Sequence, residues 1–146
     1  MEKIIIYIDG GARGNPGPAA CAAVFTDQQG RLIKDFSQYL GTASNNEAEY
    51  RGFILALKKA KALWGKAEIK KKSFEVFSDS ELLVSQLNGG FKVKEPKIQQ
   101  LFIEAWNLKV DFTYLAISLI EREKNRQADR LVNQTIEAQL KKQHLF

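Results

Sequence analysis

Apolar positions along the chain fall into two rhythms, short unbroken runs and three- to four-residue spacings, which together outline strands interleaved with helices. The run Ile4-Ile5-Ile6-Tyr7-Ile8 predicts a strand buried on both faces. Asp9 closes it, because Gly10-Gly11 and the following Gly14-Asn15-Pro16-Gly17-Pro18 are turn-forming. Ala19 to Thr26 and the loosely alternating Arg31 to Leu40, joined by the turn Asp27-Gln28-Gln29-Gly30, extend that strand into an antiparallel meander. After the break at Gly41-Thr42-Ala43, Ser44-Asn45-Asn46-Glu47 has the form of a capping box and starts a helix that runs to Leu63 or Trp64.

Helical spacing separates the two glutamates of that helix. Glu49 falls in line with Gly52, Phe53, Ala56, Ala60 and Leu63 on the apolar face, whereas Glu47 lines up with Arg51, Lys58 and Lys61 on the wet face. Gly52 is a poor helix former and is best explained by close approach of helix to sheet. The basic stretch Lys58 to Lys72 reads as a solvated helix end and connecting loop. Ser73-Phe74-Glu75-Val76-Phe77-Ser78-Asp79 is a second short strand ending on an aspartate, and a parallel pairing with the first strand sets Asp9 beside Asp79. A short helix over Ser80 to Leu87 stops at Asn88-Gly89-Gly90, and Phe91-Lys92-Val93-Lys94 is irregular. Pro96 opens a helix through Leu108. Phe112 to Ile120 forms the last strand, Glu121-Arg122-Glu123-Lys124 a charged loop, and Asn125 caps a terminal helix to Lys142. On that helix Asp129 shares the inward face with Val132, Ile136 and Leu140.

Composition narrows the class. A chain of 146 residues with 45% hydrophobic content suffices for a single domain spanning residues 1–146. The net charge of +5 favours an acidic partner such as nucleic acid. Cys21 is the only cysteine, so no intramolecular disulfide forms and a thiolate zinc site is not indicated. No run reaches membrane-spanning length and the amino terminus enters a strand directly, so no membrane partner is expected and the expected location is cytoplasmic.

Two acids ending strands and two inward-facing acids in first helical turns, Asp9, Asp79, Glu49 and Asp129, can meet at one rim of one sheet. Four clustered anions repel, and protonation or divalent cations relieve them. Oxygen-only donors suit Mg²⁺ or Mn²⁺. A pair of such ions about 4 Å apart is the arrangement that clamps a phosphodiester for in-line displacement.

The segments Asp9-Gly10-Gly11-Ala12-Arg13-Gly14-Asn15-Pro16-Gly17-Pro18, Ser44-Asn45-Asn46-Glu47-Ala48-Glu49-Tyr50, Ser78-Asp79-Ser80 and Asn125-Arg126-Gln127-Ala128-Asp129 resemble, in order, the motifs of type I ribonuclease H. The resemblance covers essentially the whole chain. It implies an α/β fold with a mixed five-stranded sheet, strand order 3-2-1-4-5, and helices on both faces. It also implies hydrolysis of the RNA strand of RNA/DNA hybrids with two Mg²⁺ (or Mn²⁺) ions per active site, leaving 5′-phosphate and 3′-hydroxyl ends. By the same resemblance Asp9 bridges the ions, Glu49 and Asp79 complete the one on the leaving-group side, and Asp129 holds the one that activates water. Gly10, Gly11, Asn15, Asn45 and Asn46 then line the minor groove of the hybrid, and Ser44 and Asn46 hold a phosphate of the DNA strand. A monomer is expected. Double-stranded RNA and RNA/DNA junctions are alternative substrates, and a binding module without turnover is the alternative from another class. The chain departs from the family pattern in three places. The loop before the last helix has no histidine, His144 being the only one; Glu81 stands where many relatives have Gln; and Asn88 to Pro96 is too short for a basic handle helix, which leaves Lys92 and Lys94 to grip the substrate.

Overall fold

The computed structural model describes residues 1–144. Its sheet has the order β3-β2-β1-β4-β5, built from β1 (Lys3–Ala12), β2 (Gly17–Thr26), β3 (Leu32–Ala43), β4 (Ser73–Ser78) and β5 (Tyr114–Leu119). The first three strands pair antiparallel, while β4 runs parallel to both β1 and β5. The helices are α1 (Asn45–Trp64), the single turn α2 (Lys66–Ile69), α3 (Glu81–Leu87), α4 (Pro96–Lys109) and α5 (Arg126–His144). This is the mixed five-stranded arrangement that the resemblance implies.

Alternation along β2 shows how one sheet holds two layers of helix. Cys21, Ala23 and Phe25 point into the larger core with Tyr50, Phe53 and Leu57 of α1. Ala20 and Ala22 point the other way, against Val132 and Ile136 of α5. Small residues on this strand let both helices sit close, and each fully buried Ile, Leu or Phe of the larger core contributes roughly 1.5–3 kcal/mol. Ile4, Ile6 and Ile8 of β1 and Phe74 and Val76 of β4 are closed from water on the α1 side. On the opposite face Ile5, Tyr7 and Phe77 are only half-buried, with the Tyr7 and Phe77 rings stacked at 5.6 Å. Strand β1 is therefore sealed on one face and partly covered on the other, a correction to the reading of burial on both. The unbroken apolar run does not distinguish these cases.

One boundary also differs from the sequence reading. Asp9 does not end β1: the strand continues through Gly10, Gly11 and Ala12, held in register against Cys21, Ala20 and Ala19 of β2. On the β4 side pairing stops at Tyr7 and Phe77, so the sheet forks there and Asp9 lies at the fork. Gly10 stays in the strand because α1 presses on it. A Cβ at Gly10 would lie 2.1 Å from the Ala48 carbonyl oxygen, and one at Gly52 would lie 2.8 Å from the Asp9 carbonyl oxygen. The inferred close approach at Gly52 thus involves a pair of glycines, one on each partner. Charges on the wet face of α1 are paired across to the next helix, since Lys58 reaches Glu104 of α4 at 3.0 Å and Lys61 bonds Asp111 just beyond it. Leu63, placed on the apolar face by spacing, is 37% exposed, and it is the neighbouring Trp64 that packs on Phe25 and Phe74 from the last turn of α1. Among the described residues no helix is long and apolar enough to cross a membrane.

Candidate active site

Ser44 caps α1 with a complete capping box. Its Oγ accepts from the Glu47 N–H at 3.1 Å, and Glu47 Oε1 accepts from the Ser44 N–H at 3.2 Å. This fixes where the helix starts and which residues of its first turn look at the sheet. Glu49 then lies over the fork, held at that depth by the contact of Ala48 with Gly10. Asp79 is the first residue beyond β4, followed by α3, whose cap Ser80 accepts from the Leu83 N–H.

Asp9, Glu49 and Asp79 each offer a carboxylate oxygen, and these three atoms lie within 4.8 Å of one another. All three line one hollow of about 360 Å³ together with Asp129, Gly10, Gly11, Asn45 and Arg122. Asp129 reaches it differently from the sequence reading. Its side chain is exposed rather than turned into the core. The face of α5 that Asp129 shares with Val132 and Ile136 lines the hollow, and Asp129 is the residue of that face that stays open to water.

The electrostatics of the cluster are those of crowded anions. Asp9 is 7% exposed, and burial first, then the neighbouring Asp79 and Asp129, push its carboxyl up from 3.8 to about 8. Glu49 is driven well above the usual carboxylate range by burial, then by Asp9 and Asp79, with Arg122 opposing the push. Glu49 Oε2 is buried with no hydrogen-bond partner. An acceptor oxygen in that state is costly unless a proton or cation sits against it. The donor set is oxygen only, clustered and underneutralised, which fits a hard divalent cation.

Of the remaining predicted residues, Gly10, Gly11 and Asn45 line this hollow, while Asn15, Ser44 and Asn46 lie outside its lining. Gly10 and Gly11 form its floor, and a Cβ at Gly11 would meet only Val132 Cγ1, at 3.8 Å. Asn45 Oδ1 accepts from the Ala12 N–H at 3.0 Å, and Asn15 Oδ1 accepts from the Asn45 N–H at 2.9 Å. Both amide oxygens are thus spent inside the protein, which aims the NH₂ donors of Asn15 and Asn45 elsewhere. Asn46 is exposed beside them and Ser44 is occupied as the cap.

Two residues near the hollow were not predicted as site residues. The charged segment before α5 is a turn of 3-10 helix, Arg122–Lys124, and it directs Arg122 rather than Glu123 or Lys124 into the hollow. Asn125 does not cap α5 with its side chain. It is 1% exposed, and its Nδ2 donates to the Ile8 carbonyl at 2.8 Å and to Asp79 Oδ2 at 3.3 Å. No sequence signal could have shown this, because Ile8 is 117 positions away.

Comparison with known proteins bears on this geometry. Residues 7–135 match the family described as reverse transcriptase-like. The structure of LC11-RNase H1, a protein isolated from compost, in complex with an RNA/DNA hybrid is similar with a TM-score of 0.89 and 43% identity, covering 94% of this chain and 99% of that one. The chain belongs to the type I ribonuclease H family. A ribonuclease HI of Halobacterium salinarum is 32% identical over 135 residues, 92% of this chain and 65% of the relative. A bifunctional protein of Mycobacterium tuberculosis is 39% identical over 137 residues, 93% of this chain but only 36% of that protein. The chain therefore spans about a third of the length of its mycobacterial relative, and the ribonuclease H likeness concerns that part alone.

Proposed function

We propose that this chain hydrolyses the RNA strand of RNA/DNA hybrids, with Asp9, Glu49, Asp79 and Asp129 as the residues that hold two divalent cations, Mg²⁺ or Mn²⁺. The observation that carries the reading is the convergence of these acids at the fork of β1 and β4, with Glu49 Oε2 buried and unpartnered. A pure binding module gains nothing from clustered negative charge beside a phosphate backbone, so turnover is favoured over binding alone. The hybrid complex of LC11-RNase H1 supports the choice of substrate.

Asp9 has each of the other three acids as a close neighbour, and it would contribute to holding both cations. Glu49 and Asp79 would hold the cation that serves the leaving oxygen, and Asp129, exposed in the hollow, would hold the one that serves the attacking water. When bound, such a pair supplies the Lewis acidity that activates a water and steadies the oxygen leaving phosphorus, which gives 5′-phosphate and 3′-hydroxyl ends. The chain's own part is to fix the scissile strand over this rim. Asn15 and Asn45, their oxygens tied to backbone, present NH₂ donors to acceptors in the wide A-form minor groove, where 2′-hydroxyls mark the RNA strand. Gly10 and Gly11 keep that floor free of side chains. Ser44 and Asn46, at the amino end of α1, take a phosphate of the DNA strand. Lys92 extends the grip, its segment anchored by a buried relay: the Tyr50 hydroxyl donates to Gln86 Oε1 at 2.6 Å, and Gln86 Nε2 donates to the Lys92 carbonyl at 3.0 Å.

The test is a panel of hybrid, double-stranded RNA, single-stranded RNA and DNA incubated with Mg²⁺, Mn²⁺ or chelator. Hybrid is cut in the presence of either ion and spared by chelator, and Asp79→Asn abolishes cutting while the protein stays folded. Cleavage of DNA alone, or parental rates from Asp79→Asn, overturns the proposal.

A further inference from the structure

Asn125 occupies a junction that the roles above leave unused. Its amide nitrogen bonds the Ile8 carbonyl of β1 and Asp79 Oδ2 beyond β4, and its own carbonyl accepts from the Asp129 N–H at 3.1 Å. One side chain and its backbone thus touch Asp79 directly, the peptide that leads into Asp9, and the first turn of α5 that carries Asp129. These three acids come from three separate elements, which no hydrogen-bonded ladder joins at this level, since the β1–β4 pairing has already ended at Tyr7 and Phe77. Asn125 lies where the sheet opens and replaces the missing ladder bond with a side-chain bridge.

The residue type matters as much as the place. Both partners of the Asn125 nitrogen are acceptors, a carbonyl and a carboxylate, so the side chain must offer two N–H donors from one atom. An Asp or a Leu of similar size cannot do so, and an exposed cap would have no need to. At 1% exposure the amide is held in one orientation by its surroundings. Removing it would leave the Ile8 carbonyl unsatisfied and free Asp79 to turn. Outer contacts of this kind fix the orientation of metal-holding carboxylates, and their loss generally costs about 10- to 100-fold in metal affinity or activity.

We propose that Asn125 is a positioning residue that sets the spacing of Asp9, Asp79 and Asp129 through its bridge from the Ile8 carbonyl to the Asp79 carboxylate. The inference rests on the reading of these acids as the cation-holding set.

The test compares the wild type with Asn125→Ala by titration calorimetry with Mn²⁺, and by hybrid cleavage across a range of Mn²⁺ concentrations well below the melting temperature of either protein. The expected result is a loss of Mn²⁺ affinity of about 10- to 100-fold, a matching rise in the Mn²⁺ concentration needed for half-maximal cleavage, a fall in kcat, and a KM for hybrid within about twofold of the wild type. Wild-type Mn²⁺ affinity and ion requirement in Asn125→Ala overturn the proposal, even when its melting temperature is lower, because that pattern means a structural bond only. Should Asn125→Ala not fold, Asn125→Ser, which keeps one hydroxyl donor on a short stem, carries the same comparison under the same criteria. If the wild type itself takes up no Mn²⁺, the cation-site reading falls first, which keeps the two failures apart.

Discussion

Replacing Asp9 with Asn is expected to stabilise the metal-free protein while abolishing its activity. Asp9 is nearly closed from water and its carboxyl is pushed up from 3.8 to about 8 by burial and by Asp79. An acid whose folded pKa lies above its unfolded value keeps its proton in the fold after the unfolded chain has released it. The native state then binds more protons between pH 3.8 and about 8, so stability falls as pH rises through that window. From the ordinary value to pH 7 is about three pH units, each worth about 1.4 kcal/mol, which sets an upper figure of about 4 kcal/mol. Asn carries no charge and escapes the penalty, less what its imperfectly paired amide loses. A gain of about 2 kcal/mol at pH 8 corresponds to roughly 4–8 °C in melting temperature for a chain of this size. The assay is thermal unfolding in chelator at pH 5 and pH 8. Asp27 and Asp111, whose carboxyls are held low by hydrogen bonds from Arg31 and Lys61 respectively, act in the opposite sense. Their stabilisation is present above the ordinary carboxylate pKa and is lost only as pH falls below it, outside the measured interval. The wild type should melt lower at pH 8 than at pH 5, and Asp9→Asn should show a smaller difference and the higher melting point at pH 8. Mg²⁺ should raise the wild-type melting point and leave the variant nearly unmoved. A wild-type melting point unchanged between the two pH values, or an Asp9→Asn variant less stable than wild type at pH 8, refutes the account of a strained anionic cluster.

Three other outcomes follow from particular contacts. Gly10→Ala puts a methyl group within 2.1 Å of the Ala48 carbonyl oxygen and 2.6 Å of the Glu49 nitrogen; since both are backbone, α1 must withdraw, with a loss of about 3 kcal/mol in denaturant unfolding and of cleavage as Glu49 moves off the fork. Phe74→Ala removes a ring 1% exposed and packed edge-on against Phe112 at 5.1 Å, and chemical denaturation should show a loss of about 3–5 kcal/mol without a change in ion requirement. Hybrid binding by a catalytically silent Asp79→Asn variant should weaken linearly in log–log plots against salt, as release of counterions from phosphate requires; affinity insensitive to salt would remove the cationic residues from the grip.

Sequence reasoning reached the order of elements because each rests on local chemistry. The capping box at Ser44 and Glu47, Pro96 at the start of α4 and the apolar run of β1 need only neighbours in the chain. Spacing alone likewise set Glu49 apart from Glu47, since helical geometry makes them face different ways. The misjudged points share one cause. Gly10 and Gly11 have the chemistry of a turn, and only the helix lying across them explains why they stay in a strand. Asn125 has the chemistry of a cap, and only the fork of β1 and β4 explains why its amide turns inward. Asp129 follows an inward periodicity, but the hollow it lines beside the fork of β1 and β4 leaves that one position open to water. Local sequence thus determines which conformations each segment can adopt and which side chains share a face. The mutual depth of helix and sheet, and with it the crowding that lifts Asp9 and Glu49 far from their ordinary acidity, is a property of packing between segments that no single segment encodes.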